Sequence, residues 1–516
     1  MAALPIDQDD RLDHMKKNRV ITPLLCLVLS GCTTLGPNYI APSDNDLIPE
    51  QTKFTEQQQE MAIVDKHAAI ENQQPSIEWW KNAFHNEQIN GLVEAALKQN
   101  LNIRSAALRV LQSQQQLAIA TANQYPQQQS ITAGVSRQEA NGSAFNNYNS
   151  GFNLSWEVDL WGRFQRQIES SQAQLDGNVA NYDGVVISLI SQVVKNYILI
   201  RTYQRRIDVS QLSIQLQEEN YRIALAKANA GDTSELDVDQ ALSLLNNSKA
   251  SVPSLQISLQ QSKNALALLL GESPQALNYI LNEQQAIPIA SPFIALGMPQ
   301  DLIRRRPDIR VAERSLAAQS AQIGFAASEL YPHFSIGGSI GNSADSMGNL
   351  FNSNSKTWSI FSAFEWDIFN YGRLQSNVRL QDALFQQLLI DYKNIVLSAQ
   401  VEVENKIVAY LKNQEQVTLY ETSAAAAKRA ADIATFQYQN GAVNFNTVIN
   451  TLVSYSQQED LLASHQGAIA ASLVDVYLAL GGGWQIREDR DPVDLLPQEI
   501  KQEMKARTAN WDDLLQ

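Results

Sequence analysis

Chemistry in a protein usually starts from histidine, cysteine or paired carboxylates, and this chain of 516 residues has five His and two Cys. His67, His85, His333 and His465 fall in separate stretches. None has a second His or a Cys at the spacing that builds a metal site. Glu157 and Asp159 stand one strand period apart, as do Glu365 and Asp367, so each pair would share one face of a strand and could be read as the acid and base of a glycosidase. The pair occurs twice at equivalent strand ends, which favours a lining or junction role over a single catalytic centre. No Gly-rich phosphate loop with its Lys occurs, nor a redox site. The chain is therefore expected not to be an enzyme and to hold no metal or cofactor.

Composition narrows the partners. With Lys+Arg 39 against Asp+Glu 54 the net charge is -15, which excludes a general nucleic-acid binder; Arg304-Arg305-Arg306 is an isolated basic run and reads as a charged helix entrance. A content of 44% hydrophobic residues argues for a packed core, while only 18% are charged, and Gln, Asn, Ser and Ala fill much of the remainder.

The head of the chain reads as a leader. Met15 to Arg19 is basic, and Val20 to Leu29 is an apolar run too short to span a bilayer. It ends in Leu29-Ser30-Gly31-Cys32, which resembles the bacterial lipoprotein signal, with cleavage before Cys32 and acylation of that residue. Met1 to His14 then reads as an upstream extension, residues 1–31 are removed, and a covalent lipid on Cys32 is the one expected modification. The removed part holds four acids and four bases, so the acidity belongs to the mature protein. Thr33 in place of Asp leans toward the outer membrane.

Two periodicities share the rest. Ile131, Ala133 and Val135 alternate with polar or small residues, and Phe152, Leu154, Trp156, Val158 and Leu160 do so strictly, predicting strands over 127–139 and 148–160. Phe334, Ile336 and Ile340, then Trp358, Ile360, Phe364, Trp366 and Ile368, predict a second pair over 333–341 and 356–369, with Phe361 and Ser362 on the wrong faces. From Arg163 to Ala230 there is no Pro, and Val186, Val193, Ile200, Ile207, Ile214 and Tyr221 recur every seven residues as a coiled-coil seam. Helices over 163–230 and 373–440 would each reach roughly 100 Å. Four strands cannot close a barrel, and open edges are forbidden in lipid, so a membrane reading requires several copies of the chain.

The landmarks also repeat. Tyr125-Pro126 matches Tyr331-Pro332, Trp156 to Arg163 matches Glu365 to Arg373, and Gly231 to Val238 matches Gly441 to Val448, at offsets drifting from about 206 to about 210 residues. The expected organisation is an N-terminal segment 32–88, a first repeat 89–270, a crossover 271–299, a second repeat 300–483 and a tail 484–516. Each repeat runs helix, strand pair, long helix, tip (230–236 or 440–446) and return helix. The first short helix is expected over about Asn90 to Asn123.

The whole mature chain resembles the outer membrane factor family, the TolC-like exit ducts of tripartite drug-efflux pumps, in its lipoprotein branch serving resistance-nodulation-division transporters. The resemblance rests on the Cys32 signal, Trp79-Trp80 with Phe84 and Leu92, Arg305-Arg306-Pro307-Asp308-Ile309, the two Tyr-Pro junctions, and the turns Gly162-Arg163 and Gly372-Arg373. It implies a mixed α/β membrane protein: a homotrimer whose twelve-stranded transmembrane β-barrel, four strands per chain, continues into a periplasmic α-helical barrel. It further implies a Gram-negative outer-membrane location, a periplasmic membrane-fusion adaptor and an inner-membrane transporter as partners, and antibiotics or other small molecules as cargo. By the same resemblance the tips form an iris-like gate, with Asp232, Glu235, Asp237 and Asp239 at the first and Val443, Asn444 and Phe445 at the second. Two alternatives stand beside this reading: a lipid-anchored periplasmic coiled-coil scaffold without a channel, and an export duct for a type I secretion system.

Overall fold

The structure is a computed structural model that describes residues 34–48, 70–71, 77–140, 142–278, 281, 285–290, 294–295, 301–487, 490–512 and 514–515. Cys32 and the leader lie outside the described residues. The contacts divide the chain into two compact units.

The first unit gathers the segment up to Ala41, Leu111–Asn178 and Val311–Tyr392. Its sheet has four antiparallel strands in sequential order, β1 (Gln128–Ala140), β2 (Ser143–Val158), β3 (His333–Ala344) and β4 (Lys356–Glu365). β2 starts five residues before the expected 148, with Phe145 opposite Gln138 and a turn carrying Gly142 at φ +78°. β4 ends sooner than its alternation suggests. Pro332 has no N–H to offer, so His333–Glu365 is the last pair in register.

Register assembles the alternation into rows. Ile131, Phe152, Ile340 and Trp358 are direct neighbours across all four strands, and Val158, Phe334 and Phe364 form another apolar row. The opposite face carries Ser130, Asn153, Ser339 and Ser359, with Ser339 and Ser359 hydroxyls 2.8 Å apart. Phe361, misplaced by pattern, sits beside Gly337, where a Cβ would come within 2.5 Å of its ring. The first of the apolar rows is bare, with Ile131 85% and Trp358 75% exposed, while Leu154, Trp156 and Val158 on the same face are half-buried.

Helices of this unit follow the same lateral order. They are the second part of α3 (Leu101–Ala122), the start of α4 (Arg163–Asn229), most of α6 (Pro307–Ser328) and the start of α7 (Arg373–Gln439). Amides and hydroxyls join them: Asn178 Nδ2 donates to Ser113 Oγ (2.7 Å), Gln322 Nε2 to Ser170 Oγ (2.9 Å) and Gln319 Nε2 to Gln381 Oε1 (2.8 Å).

The second unit holds α1 (Trp79–Phe84), α2 (Glu87–Gln99), the rest of α3, α4, and α7, and also α5 (Glu235–Leu269), α8 (Phe445–Ala479) and α9 (Gln498–Arg507). The single helix expected over Asn90 to Asn123 is two, because Asn100 leaves the helical region at ψ 127° and its side chain caps Asn102 N and Ile103 N. Trp79 stacks on Tyr477 at 4.8 Å, and Val193, Tyr197, Ile198 and Ile200 are fully buried.

Farther along α4 the expected seam drifts. Ile214 and Tyr221 are only half-buried, while Ser213, Gln217, Asn220 and Ala224 face inward. A helix of 3.6 residues per turn walks away from a seven-residue repeat by about 20° each heptad. By length and composition alone α4 and α8 contain windows apolar enough to cross a membrane, but 61% of the α4 window and 44% of the α8 window are buried within the protein.

The basic run has a structural role here. Arg306 donates to the Ala479 carbonyl (2.8 Å) and pairs with Glu402 (2.8 Å), tying the α6 entrance to the end of α8. Asp183, fully buried in α4, accepts from Arg310 Nη1 (3.0 Å) and from Arg487 Nε (2.8 Å). Burial pushes its carboxyl up, and the two guanidiniums pull it back. The tail beyond Arg487 packs in this unit through Val493, Leu496 and Met504.

Candidate gate and junction sites

Both tips end their long helix in the same way. Gly231 (φ +80°) and Gly441 (φ +73°) take the left-handed conformation, and the next N–H reaches back to Lys227 O (2.9 Å) or Gln437 O (2.8 Å). This six-residue backbone closure satisfies the carbonyls at the helix end. The return helices differ at their starts. Asn444 accepts from Thr447 N at 3.1 Å, whereas Ser234 makes no side-chain cap.

The second tip folds its apolar residues inward. Phe445 is 1% exposed, its ring 5.0 Å from that of Tyr438, and with Val448, Leu452, Tyr455, Ala224 and Ala241 it forms a local core that Val443 joins from the side. Of the four acids at the first tip, Asp237 alone is drawn into this cluster. Its Oδ2 accepts from Tyr438 Oη (3.3 Å) and, at short range, from Thr233 Oγ1. Lys227 Nζ lies 5.4 Å from the Tyr438 ring. Burial raises the Tyr438 phenol above its ordinary value, with Thr233 pulling it down and Asp237 adding to the rise. Asp232, Glu235 and Asp239 are exposed.

Tyr438, Thr233 and Lys227 were not singled out in the sequence. A Tyr in an alternating helical pattern gives no sign of a carboxylate 201 residues away in the chain. Thr233 next to an acid four residues on, just before a helix, was the one local hint.

At the strand-to-helix turns, the carboxylate pairs serve structure. Glu157 accepts from Arg163 Nη1 (2.8 Å) and lies 2.9 Å from His333 Nδ1, and Asp159 Oδ2 accepts from Gln165 N (2.9 Å) at the helix start. Arg163 also pairs with Glu329 at 3.1 Å and lies over the Phe164 and Phe325 rings. Gly162 has φ +74° and Gly372 φ +80°, the conformation a strand needs to turn at once into a helix. In the second turn Arg373 pairs with Asp367 at 3.1 Å, with both side chains largely exposed. Charges held in this way are positioned to fix a bend.

Comparison with known proteins gives a consistent result. The model of the outer membrane efflux protein family matches residues 92–272 and 298–482. Nodulation protein T of Rhizobium leguminosarum bv. viciae is 29% identical over 471 residues, covering 91% of this chain and 94% of that protein. The cation efflux system protein CusC of Escherichia coli O6:H1 is 26% identical over 466 residues, covering 89% and 98%. The solved structure of the outer-membrane channel OprN superposes with a TM-score of 0.80 at 29% identity, covering 88% of this chain and 100% of that one. An outer-membrane location follows, and the chain belongs to the outer membrane efflux protein family.

Proposed function

We propose that this protein is the outer-membrane exit duct of a tripartite efflux pump. Three copies, each a duplicated chain, close into one passive channel through which small molecules leave the cell. The carrying observation is the open sheet of four strands, whose apolar row Ile131–Phe152–Ile340–Trp358 is bare and whose edges β1 and β4 pair with no other strand among the described residues. In lipid such a sheet persists only if closed, and three copies supply a barrel of twelve strands whose bare face meets the acyl chains. Because helices and strands share one lateral order, the same closure joins α3 of one copy to α7 of the next.

Within the duct the tips act as an iris. Asp237, Tyr438 and Thr233 latch the two tips of one chain together, while the exposed Asp232, Glu235 and Asp239 present carboxylates to the axis or to an adaptor. Phe445 and Val443 supply the apolar packing that moves as a body, and Asn444 holds the start of its return helix. A periplasmic adaptor and an inner-membrane transporter of the resistance-nodulation-division class provide opening and energy. The lipid on Cys32 adds a second hold on the membrane.

The test combines the mass of the detergent-solubilised protein with conductance in planar lipid. A trimer whose conductance rises when Tyr438→Phe and Asp237→Asn remove the latch is the expected result. A monomer, or a trimer that stays silent with the latch removed, overturns it. Carbonate extraction of Cys32→Ser separates duct from scaffold: a barrel stays in the membrane fraction, and a lipid-tethered coiled coil is released.

A further inference from the structure

We infer that residues 34–39 form a strap, clamped by Arg166, that fixes the acylated N terminus to the first strand-to-helix turn, so that the lipid anchor and the strands are held at one level in the membrane. The inference rests on the reading of Cys32 as acylated and of the strands as membrane-spanning; the clamp itself stands on contacts within the first unit.

Arg166, in the first turn of α4, is 2% exposed, yet much of its hydrogen bonding is directed to the chain that follows the leader. Its Nε donates to Leu35 O (2.9 Å) and its Nη2 to Gly36 O (3.1 Å) and Asn38 Oδ1 (2.9 Å), while Nη1 holds Glu169 at 2.6 Å. Leu35 N in turn donates to Trp161 O at 3.0 Å. A planar guanidinium spread over successive backbone carbonyls defines a conformation of the strap as well as its place.

The surface beneath is shaped for close approach. Gly36 has φ +83°, and a Cβ there would stand 2.4 Å from the Gly324 Cα of α6; a Cβ on Gly324 would fall 2.7 Å from both Leu35 O and Arg166 Nε. A Cβ on Gly162 would lie 2.5 Å from Thr34 Cγ2, so the strap begins on the turn glycine itself. At its far end, burial and the neighbouring Glu313 carboxylate push the Tyr39 phenol above its ordinary range.

The second turn lacks all of this. Gly372 has open space where a Cβ would point, and the residue four beyond it, in the place of Arg166, is Ser376. The backbone is otherwise alike: Arg166 N donates to Gly162 O (2.8 Å) and Ser376 N to Gly372 O (2.9 Å). Among the described residues, therefore, the first turn is strapped and no such strap lies on the second. Thr34, two residues after Cys32 in sequence, stands against Gly162 at the turn that follows β2.

The test uses the full lipoprotein in outer-membrane vesicles with a nitroxide on Pro37→Cys, the one free thiol once Cys32 is acylated. The parent should give an immobilised spectrum. Arg166→Met and, independently, Gly324→Ala should raise the ratio of mobile to immobile label by roughly tenfold or more, given the loss of charge-assisted bonds. Arg166→Lys should restore part of the immobile signal, and Glu169→Gln, which leaves the strap bonds intact, should change little. Power saturation should place the parent label at the depth of a label at Glu157, with that match lost in Arg166→Met. Mass spectrometry of the N-terminal peptide reports acylation separately: an unacylated peptide with an immobile strap sinks the Cys32 reading and leaves the clamp standing. A mobile label in the parent, or an immobile one in both Arg166→Met and Gly324→Ala, overturns the clamp; if one variant fails to assemble, the other and Asn38→Ala decide.

Discussion

Tyr438, near the end of one long helix, donates its hydroxyl to Asp237 in the first turn of the other tip's return helix at 3.3 Å, and this bond between residues 201 apart in sequence joins the two tips. A bond to a carboxylate at a partly exposed tip is worth about 1 kcal/mol. Tyr438→Phe should raise the open fraction of single channels roughly fivefold, with Asp237→Asn giving a similar rise and the double variant little more than either alone.

The same bond sets a pH dependence. The phenol of Tyr438 is raised above its ordinary value, so the latch is fully present below about pH 10 and is lost as pH rises through the shifted value. Closed-channel conductance should stay flat from neutrality to about pH 10 and climb beyond it. A climb of equal size in Tyr438→Phe would assign the alkaline change to another group.

Phe445 is packed in the tip core, and Phe445→Ala should remove about 3–5 kcal/mol of local packing. The expected readout is trypsin cleavage at Lys227 or Arg429 at least ten times faster, with the mass of the assembled protein unchanged. Cleavage at the parent rate would show that the tip can collapse around the missing ring.

Asp183 is a fully buried carboxylate bound by two guanidiniums. Asp183→Ala removes the carboxylate that Arg310 and Arg487 both bond and should destabilise the protein by about 3–5 kcal/mol. Thermal melting of the solubilised protein checks this, and adding Arg487→Met to Asp183→Ala should recover part of the loss.

On the sheet, Ile340 and Ser339 are adjacent on β3 but point to opposite faces. Ile340→Lys should cost about 2–4 kcal/mol at the bilayer midplane and reduce the assembled fraction recovered from outer membranes. Ser339→Lys should assemble normally and shift ion selectivity toward anions. Equal recovery of the two would remove the distinction between lipid and lumen faces.

Alternation was legible because successive side chains of a strand point to opposite faces, and the heptads because burial imposes them along the middle of α4. Ile131, Phe152, Ile340 and Trp358 each announce a face in sequence, and register merely lines them up. Phe361 broke the pattern because its partner is a missing side chain, Gly337, a complement no alternation rule can see. The split at Asn100 depended on a cap whose signal is one Asn among many. Of the candidate site residues, the turn residues Gly162 and Arg163 were visible through their recurrence. The latch was not, because Asp237 looks like any acid opening a helix until Tyr438 arrives from the far half of the chain. Arg166 was equally silent, since its acceptors at Leu35 and Gly36 are backbone carbonyls, which every residue carries.

The inward drift of Ser213, Gln217 and Asn220 on α4 has a mechanical consequence. Between Val186 and Ile200 the helix is gripped by apolar side chains, each worth about 1.5–3 kcal/mol when buried; toward the tip part of that grip passes to polar contacts with its neighbour, such as Thr435 Oγ1 to Asn220 Oδ1 at 3.4 Å, worth about 0.5–1.5 kcal/mol. The rod is thus clamped most firmly along its middle, held more lightly through the polar stretch at 213–220, and fastened again by the tip core at Ala224, so a torque applied at the tip is taken up first as a twist of that lighter stretch.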